Sequence, residues 1–433
     1  MKRKIALLLT LGLSLNLLTG CGGNTSTGSA DNEVANGGDT MSLMVSGTES
    51  DAYTQGIKKV IEEFNSTNEY GVTIEPEFLA TSDYKTKLST MMASDAEPDL
   101  FFTYELSFLE NYVNGDKVVS LQEYLDADAE WADHFNGGTL EQVSFDGNTY
   151  AIPFAQCIAV MYYNTDIFEQ YNLSVPTTYE EYCKVCDTLL ENGVTPVALA
   201  STSDDAWLVS QYIQQLANGI AGYDLFDSLN NGTGKWNDPA FVEAASLFQE
   251  EVNKNYFEKG FTGVGNDEAR AIFQNGQAAM YFNGTWEVPN LDSEELCSIA
   301  GSVDCFTMPA VDPKYNNVSV GALDGSFAVS KNCKNVDAAV EFLKMLTSDE
   351  WESTFLYDYG KLPSTAMEID STKISPLCGK VIECMNEQTA LTAWFDRMDT
   401  DLGNEFNNCG VAISNGDDPQ ETYDNLQSYA ESN

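Results

Sequence analysis

Residues 268–287 read EARAIFQNGQAAMYFNGTWE, and this stretch holds the signals of a helix, a strand and a turn in close succession. Ala269, Ile272 and Phe273 lie at positions i, i+3 and i+4, which predicts a helix with one apolar face. Gly276 suits the left-handed conformation that ends many helices. The apolar run at 278–282 then predicts a short buried strand.

The end of this strand predicts a binding surface. Asn283 and Gly284 are typical of a turn, and Trp286 and Glu287 follow directly. In α/β proteins, residues just past the carboxyl end of a strand face the ligand crevice. The alternative is that Trp286 packs in the core, because tryptophan is largely buried on average. The segment by itself favours neither interpretation.

The wider pattern alternates strands and helices. Strands are predicted at 41–45, 72–78 and 99–103, with helices at 51–64 and 83–93 between them. This order predicts a parallel sheet covered by helices. A chain of 433 residues is too long for one ordinary core, so two lobes are expected. Further strands are predicted at 159–163, 196–200 and 327–329, and further helices at 207–217, 238–254, 337–346 and 419–432.

The amino terminus has the pattern of a bacterial export signal. Three basic residues at 2–4 precede an apolar stretch at 5–18 that is too short for a membrane span. The sequence LTGC at 18–21 resembles a lipoprotein processing site, which implies cleavage before Cys21 and attachment of lipid to it. An ordinary signal peptide with an incidental cysteine is the alternative. Residues 21–40 are rich in Gly, Ser, Thr and Asn and are predicted to form a flexible tether.

Charge and cysteine content narrow the function classes. The net charge of −46 disfavours nucleic acid and polyanionic partners. Of ten cysteines, Cys183 and Cys186 have the spacing of a redox or metal motif. They fall on a predicted helix whose apolar face carries Tyr182, Val185 and Leu189, so we expect buried thiols and no metal site.

Catalytic motifs are not evident in the sequence. His134 is the only histidine, and the chain contains no G-x-S-x-G elbow, phosphate loop or dinucleotide fingerprint. We therefore expect a protein without enzymatic activity or cofactor. Paired carboxylates of a secreted glycoside hydrolase stay formally open, because acidic residues are abundant.

Aromatic residues next to planar polar groups recur in predicted loops. Sugars lay their C–H faces on aromatic rings, and their hydroxyls suit carboxylate, amide and guanidinium partners. A mostly apolar pocket with a few convergent polar groups is the usual small-ligand site. The pattern thus predicts a sugar site built from Tyr104 with Glu105, Trp207, Asn283 with Trp286 and Glu287, Asp324, and Trp394 with Asp396 and Arg397.

Eight motifs in one order run along nearly the whole chain after the tether. They are EPDLFF at 97–102, GNTYAIPF at 147–154, VMYYNTDIF at 160–168, VPTTYEE at 175–181, FQNGQAAM at 273–280, NGTWE at 283–287, FAVSK at 327–331 and AVEFLK at 339–344. Through them the chain resembles the family 1 extracellular solute-binding proteins of carbohydrate ABC importers, which are relatives of the maltose-binding protein.

The resemblance implies an α/β fold of the two-lobed, type II periplasmic-binding-protein kind. Each lobe would be a mainly parallel sheet with flanking helices, joined by a hinge with crossings near 154–157, 307–309 and 346–349. The implied amino-terminal lobe is 41–155 with 309–347, and the carboxy-terminal lobe is 156–308 with 348–433.

The implied function is capture of a neutral mono- or oligosaccharide in the cleft between the lobes. The protein would be a monomer, lipid-anchored at the extracellular face of the membrane, and would deliver the sugar to ABC permease subunits. A peptide or amino-acid receptor of the same fold is an alternative, for which Asp396 and Arg397 form the one charged pair that the sequence suggests.

The resemblance also implies roles for individual residues. Trp286 matches a stacking tryptophan, Trp394 an aromatic platform near the carboxyl terminus, and Trp207 an aromatic residue of the oligosaccharide-binding branch. Asp324 matches a carboxylate that grips sugar hydroxyls, and Gln156 takes the place of a polar hinge residue.

Two positions depart from the family pattern. Many relatives carry a tryptophan after the strand at 99–103, where this chain has Tyr104 and Glu105 as the contact of the amino-terminal lobe. Arg397 beside Asp396 is not general in the family either. Glu287 is predicted to be a hydroxyl acceptor or a structural anchor.

Overall fold

The computed structural model describes residues 39–49, 51–397 and 400–432. The predicted signal peptide, Cys21 and nearly all of the predicted tether lie outside these residues. Residues from Asp39 onward form one compact unit. Within the described ranges, none of the helices combines the length and the apolar character needed to cross a membrane.

Strands and helices alternate along the described chain. The strands are β1 (Thr40–Ser46), β2 (Thr73–Leu79), β3 (Leu100–Thr103), β4 (Ser144–Phe145), β5 (Asn148–Thr149), β6 (Ala151–Pro153), β7 (Ala155–Asn164), β8 (Thr195–Ala198), β9 (Ala278–Gly284), β10 (Val303–Phe306), β11 (Val318–Leu323), β12 (Ser326–Val329), β13 (Leu362–Pro363) and β14 (Ala390–Thr392). The helices are α1 (Ala52–Thr67), α2 (Thr81–Ala93), α3 (Ser107–Asn114), α4 (Gln122–Ala127), α5 (Ala129–Asp133), α6 (Thr165–Gln170), α7 (Tyr179–Glu191), α8 (Ala206–Ala221), α9 (Tyr223–Asn230), α10 (Pro239–Asn253), α11 (Asn266–Gln274), α12 (Val288–Asp292), α13 (Val336–Leu346), α14 (Asp349–Tyr359), α15 (Pro376–Asn386), α16 (Thr400–Ser414) and α17 (Pro419–Ala430).

Two sheets form the centres of two lobes, which confirms the predicted two-lobed α/β fold. The first sheet has the order β2-β1-β3-β12-β6, and the second has the order β14-β11-β7-β9-β8, with β10 and β13 also paired to β7. The sheets are mixed and not mainly parallel. In the second sheet, β9, β10, β11 and β13 all run antiparallel to the long central strand β7.

Strand pairing shows where the chain passes from one sheet to the other. Strand β6 belongs to the first sheet and β7 to the second, so the chain crosses at Phe154. The predicted crossing at 307–309 is wrong, because β11 still pairs with β7 and the chain returns at 324–325. The other lobe boundaries stay a prediction.

The segment quoted at the outset folds largely as its pattern predicts. Gly276 has a φ of 67°, and the N–H of Gln277 donates to the carbonyl of Ile272 at 3.0 Å, which closes α11. Strand β9 continues through Asn283 and Gly284, two residues predicted as a turn, because they still pair with β7. A single 3-10 turn at Thr285–Glu287 follows.

A carboxyl group lies inside the core of the second lobe. Glu251 on α10 is buried, and the hydroxyls of Tyr179 and Tyr212 each donate to one of its oxygens at 2.6 Å. Burial raises the pKa of Glu251 to about 7, even though both hydrogen bonds oppose the shift. Between its ordinary pKa of 4.5 and this raised value, the carboxyl group of Glu251 is protonated in the folded protein and ionised in the unfolded chain.

Stability should fall as pH rises because of Glu251. Its pKa is about 7 in the folded state against an ordinary 4.5, so the folded state holds this proton more tightly. The contribution is complete below pH ~4.5 and is lost as pH rises through ~7, which lowers the free energy of unfolding by about 3 kcal/mol. Urea unfolding of Glu251→Gln across this range checks the prediction. A variant that keeps the full pH dependence of the wild type would contradict it.

Candidate ligand-binding site

Three tryptophans predicted from separate segments meet at one edge of the second sheet. Strands β8, β9 and β14 run in the same direction, so the residues after their carboxyl ends lie on a common side. Trp286 follows β9, Trp394 follows β14, and Trp207 lies in the first turn of α8, after β8. The ring centroids of Trp207 and Trp286 are 5.7 Å apart, as are those of Trp286 and Trp394. We call these three residues the tryptophan row.

The middle ring of the row depends on a glycine. A Cβ atom on Gly284 would lie 2.2 Å from the ring of Trp286, so only glycine lets this ring fold back over the end of β9. Trp207 and Trp286 are half-buried, whereas Trp394 is only 3% exposed. The row therefore has both accessible and covered ring surface, and its part in ligand binding stays a prediction.

Asn283 and Glu287, on either side of this turn, are engaged inside the protein. The side-chain amide of Asn283 donates to Asn266 at 3.0 Å, and its carbonyl accepts from the backbone of Gly284 at 2.8 Å. Glu287 is fully buried, and both of its oxygens accept from the guanidinium of Arg270, at 2.6 and 2.9 Å. This geometry favours the structural interpretation of Glu287 over that of a hydroxyl acceptor.

Arg397 links the tryptophan row to the first sheet. Its guanidinium lies 4.1 Å from the ring centroid of Trp394 and 4.7 Å from that of Tyr104. The same group donates to the two oxygens of Glu105 at 2.8 and 3.1 Å and to the carbonyl of Leu323 at 2.7 Å. Glu105 follows β3 and Arg397 follows β14, so this buried pair joins the two lobes.

A second ion pair crosses between the lobes beside the first. Lys85 on α2 lies 3.3 Å from a carboxylate oxygen of Asp396 and 4.9 Å from the ring centroid of Tyr104. Burial alone would raise the pKa of Asp396, but the charges of Lys85 and Arg397 hold it below its ordinary value. For Glu105 burial dominates, and its pKa is raised although Arg397 opposes the shift.

The remaining predicted residues lie where the chain crosses between the sheets. Gln156 is the second residue of β7, and its side-chain carbonyl accepts from the side-chain amide of Asn136 at 2.9 Å. Asp324 follows β11, and its carboxylate accepts from Lys361. The Lys361 ammonium in turn lies 4.2 Å from the ring centroid of Tyr53. Asp324 stays 15% exposed at its side chain, so part of the carboxylate faces solvent.

Gln211 is absent from the predicted site residues, yet it lies beside the row. It is one helical turn after Trp207 on α8 and is only 1% exposed. Neither polar atom of its amide has a hydrogen-bond partner among the described residues. The signal in the sequence is a stripe of amides along an otherwise apolar helix, at 211, 214, 215 and 218.

The two cysteines on α7 pack in or against the hydrophobic core of the second lobe. Burial raises the pKa of the thiols of Cys183 and Cys186, which keeps them protonated and unreactive. Across the part of the chain that the structure describes, no group of His, Cys, Asp and Glu side chains is arranged to hold a metal ion.

Comparison with known proteins gives relatives of matching length and fold. The chain is 24% identical over 387 residues to the multiple sugar-binding protein of Streptococcus mutans, with 87% of this chain and 85% of that protein covered. A structure from a study of xylan utilization by Caldanaerobius polysaccharolyticus is 28% identical, with a TM-score of 0.81 over 90% of this chain and 99% of that one. A chitin oligosaccharide binding protein, 22% identical, has the same fold with a TM-score of 0.85 over 91% and 98% of the two chains.

The match to a family model covers most of the described chain. The model of the bacterial extracellular solute-binding proteins matches residues 48–353, from the loop after β1 to the middle of α14. This range includes eight of the eleven predicted ligand residues, whereas Trp394, Asp396 and Arg397 lie beyond its end. This chain belongs to the bacterial extracellular solute-binding proteins.

Proposed function

We propose that this protein captures a neutral mono- or oligosaccharide in the cleft between its lobes and delivers it to the permease of an ABC importer. The observation that carries the proposal is the tryptophan row, with three rings at successive centroid distances of 5.7 Å. The accessible faces of Trp207 and Trp286 offer apolar surface for the C–H faces of sugar units, and Trp394, covered in this structure, adds a third ring beside them. Asp324, with a partly exposed carboxylate, adds a hydroxyl acceptor at the crossing between the sheets.

The charged groups argue for a neutral ligand. Arg397 and Asp396 are the pair that a peptide receptor would need for charged termini. Arg397 is bound to Glu105, and Asp396 is bound to Lys85, so each already has an opposite charge. A ligand with charged ends would have to break these pairs, whereas a neutral sugar leaves them intact.

The names of similar proteins also support a sugar as the ligand. The name of the Streptococcus mutans relative refers to several sugars, and the xylan study concerns a polysaccharide. We also propose that the mature chain begins at Cys21 as a lipid-anchored monomer at the extracellular face of the membrane. The sequence pattern at 18–21 supports the anchor, and its test is the mass of the purified mature protein.

A thermal-shift screen tests the proposed function. The domain from residue 39 onward would be heated with galactose, raffinose, xylotriose, chitotriose, single amino acids and tripeptides. A sugar present at 100 times its dissociation constant should raise the free energy of unfolding by about 2.7 kcal/mol. Stabilisation by a tripeptide or amino acid and by no sugar would overturn the proposal, as would release of reducing sugar from a polysaccharide.

Alanine in the tryptophan row should weaken the interaction with the sugar found in this screen. Trp286→Ala or Trp394→Ala removes ring surface that the sugar covers, so each should cost about 1–3 kcal/mol of binding free energy. Isothermal titration calorimetry measures the loss. Trp286→Phe is the matched control, because it keeps an aromatic face and should retain most of the affinity. Unchanged affinity in both alanine variants would exclude the row as the site.

A further inference from the structure

Two buried polar groups near the tryptophan row lack hydrogen-bond partners within the described residues. One is the side-chain amide of Gln211, of which both the nitrogen and the oxygen are buried and unpaired. The other is the indole nitrogen of Trp394. Buried polar groups in folded proteins are nearly always paired, so these two unpaired groups require an explanation.

Gln211 lies on a face of α8 that makes contacts at or beside the tryptophan row, both before and after it in the helix. Trp207, Gln211 and Gln214 lie at positions i, i+4 and i+7 and thus share one face of the helix. Trp207 contacts Trp286, and the amide of Gln214 donates to the carbonyl of Ala393 at 2.8 Å, next to Trp394. Gln211 lies between these two contacts on the same face of the helix.

The chemistry of the two groups restricts what can pair with them. An indole N–H only donates, so it needs an acceptor. A primary amide both donates and accepts, so it needs a partner that does both. A sugar hydroxyl meets both requirements, and two neighbouring oxygens of one sugar unit could serve both groups. An aliphatic or cationic ligand could not satisfy the indole.

The two groups are placed where closure of the lobes would cover them. The ring of Trp394 lies against the guanidinium of Arg397, which is bound to Glu105 of the other lobe. Trp394 and Arg397 both follow β14, so separation of the lobes would break the contact of Arg397 with Glu105 and open this region to a ligand, as in the hinge motion of periplasmic binding proteins. Burial of the groups in the present structure is therefore compatible with a role in binding.

We propose that Gln211 and the indole nitrogen of Trp394 form a polar subsite that hydrogen-bonds adjacent oxygens of the captured sugar. The inference rests on the proposed sugar-binding function and adds the residues that orient a sugar unit on the tryptophan row. Gln211 would discriminate between sugars that differ in the positions of their hydroxyls, whereas the tryptophan rings require only that a sugar present an apolar face.

Three substitutions test the subsite, with the panel sugar that most stabilises the wild-type protein as the probe. Gln211→Met keeps the length of the side chain and removes both polar atoms, and Trp394→Phe keeps a ring and removes the N–H. Each should raise the dissociation constant tenfold or more, because a sugar oxygen is left unpaired in the closed protein. Gln211→Met should not lower the melting temperature of the ligand-free protein, because no bond within the described chain is lost.

Gln215→Met is the matched control on the same helix. The Gln215 amide accepts from the N–H of Val320 at 2.8 Å and donates to the carbonyl of Val318 at 3.3 Å, so its loss should lower the melting temperature and leave the dissociation constant unchanged. If Gln211→Met binds the sugar as tightly as the wild type does, or destabilises the ligand-free protein as Gln215→Met does, the subsite is excluded. If the wild-type protein binds no sugar, the proposed function itself fails.

Discussion

Replacement of Arg397 by methionine is expected to lower the free energy of unfolding by about 3–5 kcal/mol at neutral pH. Glu105 is fully buried, and Arg397 donates to its oxygens at 2.8 and 3.1 Å. Without the guanidinium, a carboxylate is left uncompensated between the lobes. Methionine has nearly the same length and can keep an apolar contact with the ring of Trp394, so the loss reports on the charge and on the hydrogen bond to the carbonyl of Leu323.

The defect of Arg397→Met should depend on pH. Burial raises the pKa of Glu105, and the charge of Arg397 opposes this shift, so removal of Arg397 should raise the pKa further. A raised folded-state pKa means that stability is present at low pH and is lost as pH rises through the folded value. Denaturant unfolding should therefore show a small defect near pH 5 and a large one near pH 8.

Two further variants give the controls for this result. The double variant Glu105→Leu with Arg397→Met removes both charges and should recover most of the lost stability. Lys85→Met breaks the neighbouring pair with Asp396 and should cost less than Arg397→Met, because Arg397 and Asn407 still stabilise the Asp396 carboxylate. If Arg397→Met is no more harmful than Lys85→Met, the buried pair is not an important link between the lobes.

A loss of similar size, about 3–5 kcal/mol, is expected for Arg270→Met. Glu287 has no exposed surface, and both of its oxygens accept from Arg270, at 2.6 and 2.9 Å. Burial by itself would lower the pKa of Arg270, but Glu287 raises it overall, so the guanidinium stays charged. Because Glu287 lies next to Trp286, the variant should also weaken sugar binding, and calorimetry of the folded variant measures this second effect.

Asp267→Asn is the matched control for the second pair. Asp267 also contacts Arg270, at 2.7 Å, but its side chain is 93% exposed. Exposed pairs contribute less than about 1 kcal/mol, so this variant should unfold almost as the wild type does. The double variant Arg270→Met with Glu287→Leu should be more stable than Arg270→Met alone. Equal losses for Asp267→Asn and Arg270→Met would show that burial of Glu287 is not the cause.

Local patterns in the sequence predict the elements that present the candidate site. The spacing of Ala269, Ile272 and Phe273 predicts α11, and Gly276 predicts its end, because amphipathic spacing and left-handed caps are properties of a few neighbouring residues. Trp286 stands out for the same reason, because it follows a predicted strand, whereas β14 before Trp394 is not among the predicted strands. The predicted end of β9 is two residues too early, because pairing with β7 extends the strand through Gly284.

Partners that are distant in the sequence could not be predicted in this way. The charges of Glu105 and Arg397 are 292 positions apart, and nothing local to either residue indicates that they neutralise each other. The same holds for Glu287. Its sequence position allows a contact with a ligand hydroxyl, but the packing of α11 against β9 places Arg270 beside it and forms an ion pair. The crossing at 324–325 was missed because it depends on which sheet β11 joins.

The sequence by itself determined the alternation of strands and helices at 41–103, the aromatic residues beside polar groups and the resemblance to a family of binding proteins, because each of these depends on short stretches of residues. Only the tertiary structure decided that Trp207, Trp286 and Trp394 form one row, since this requires β8, β9 and β14 to run in the same direction in one sheet. It also decided which polar groups are paired inside the protein and which, such as the amide of Gln211, have no hydrogen-bond partner among the described residues.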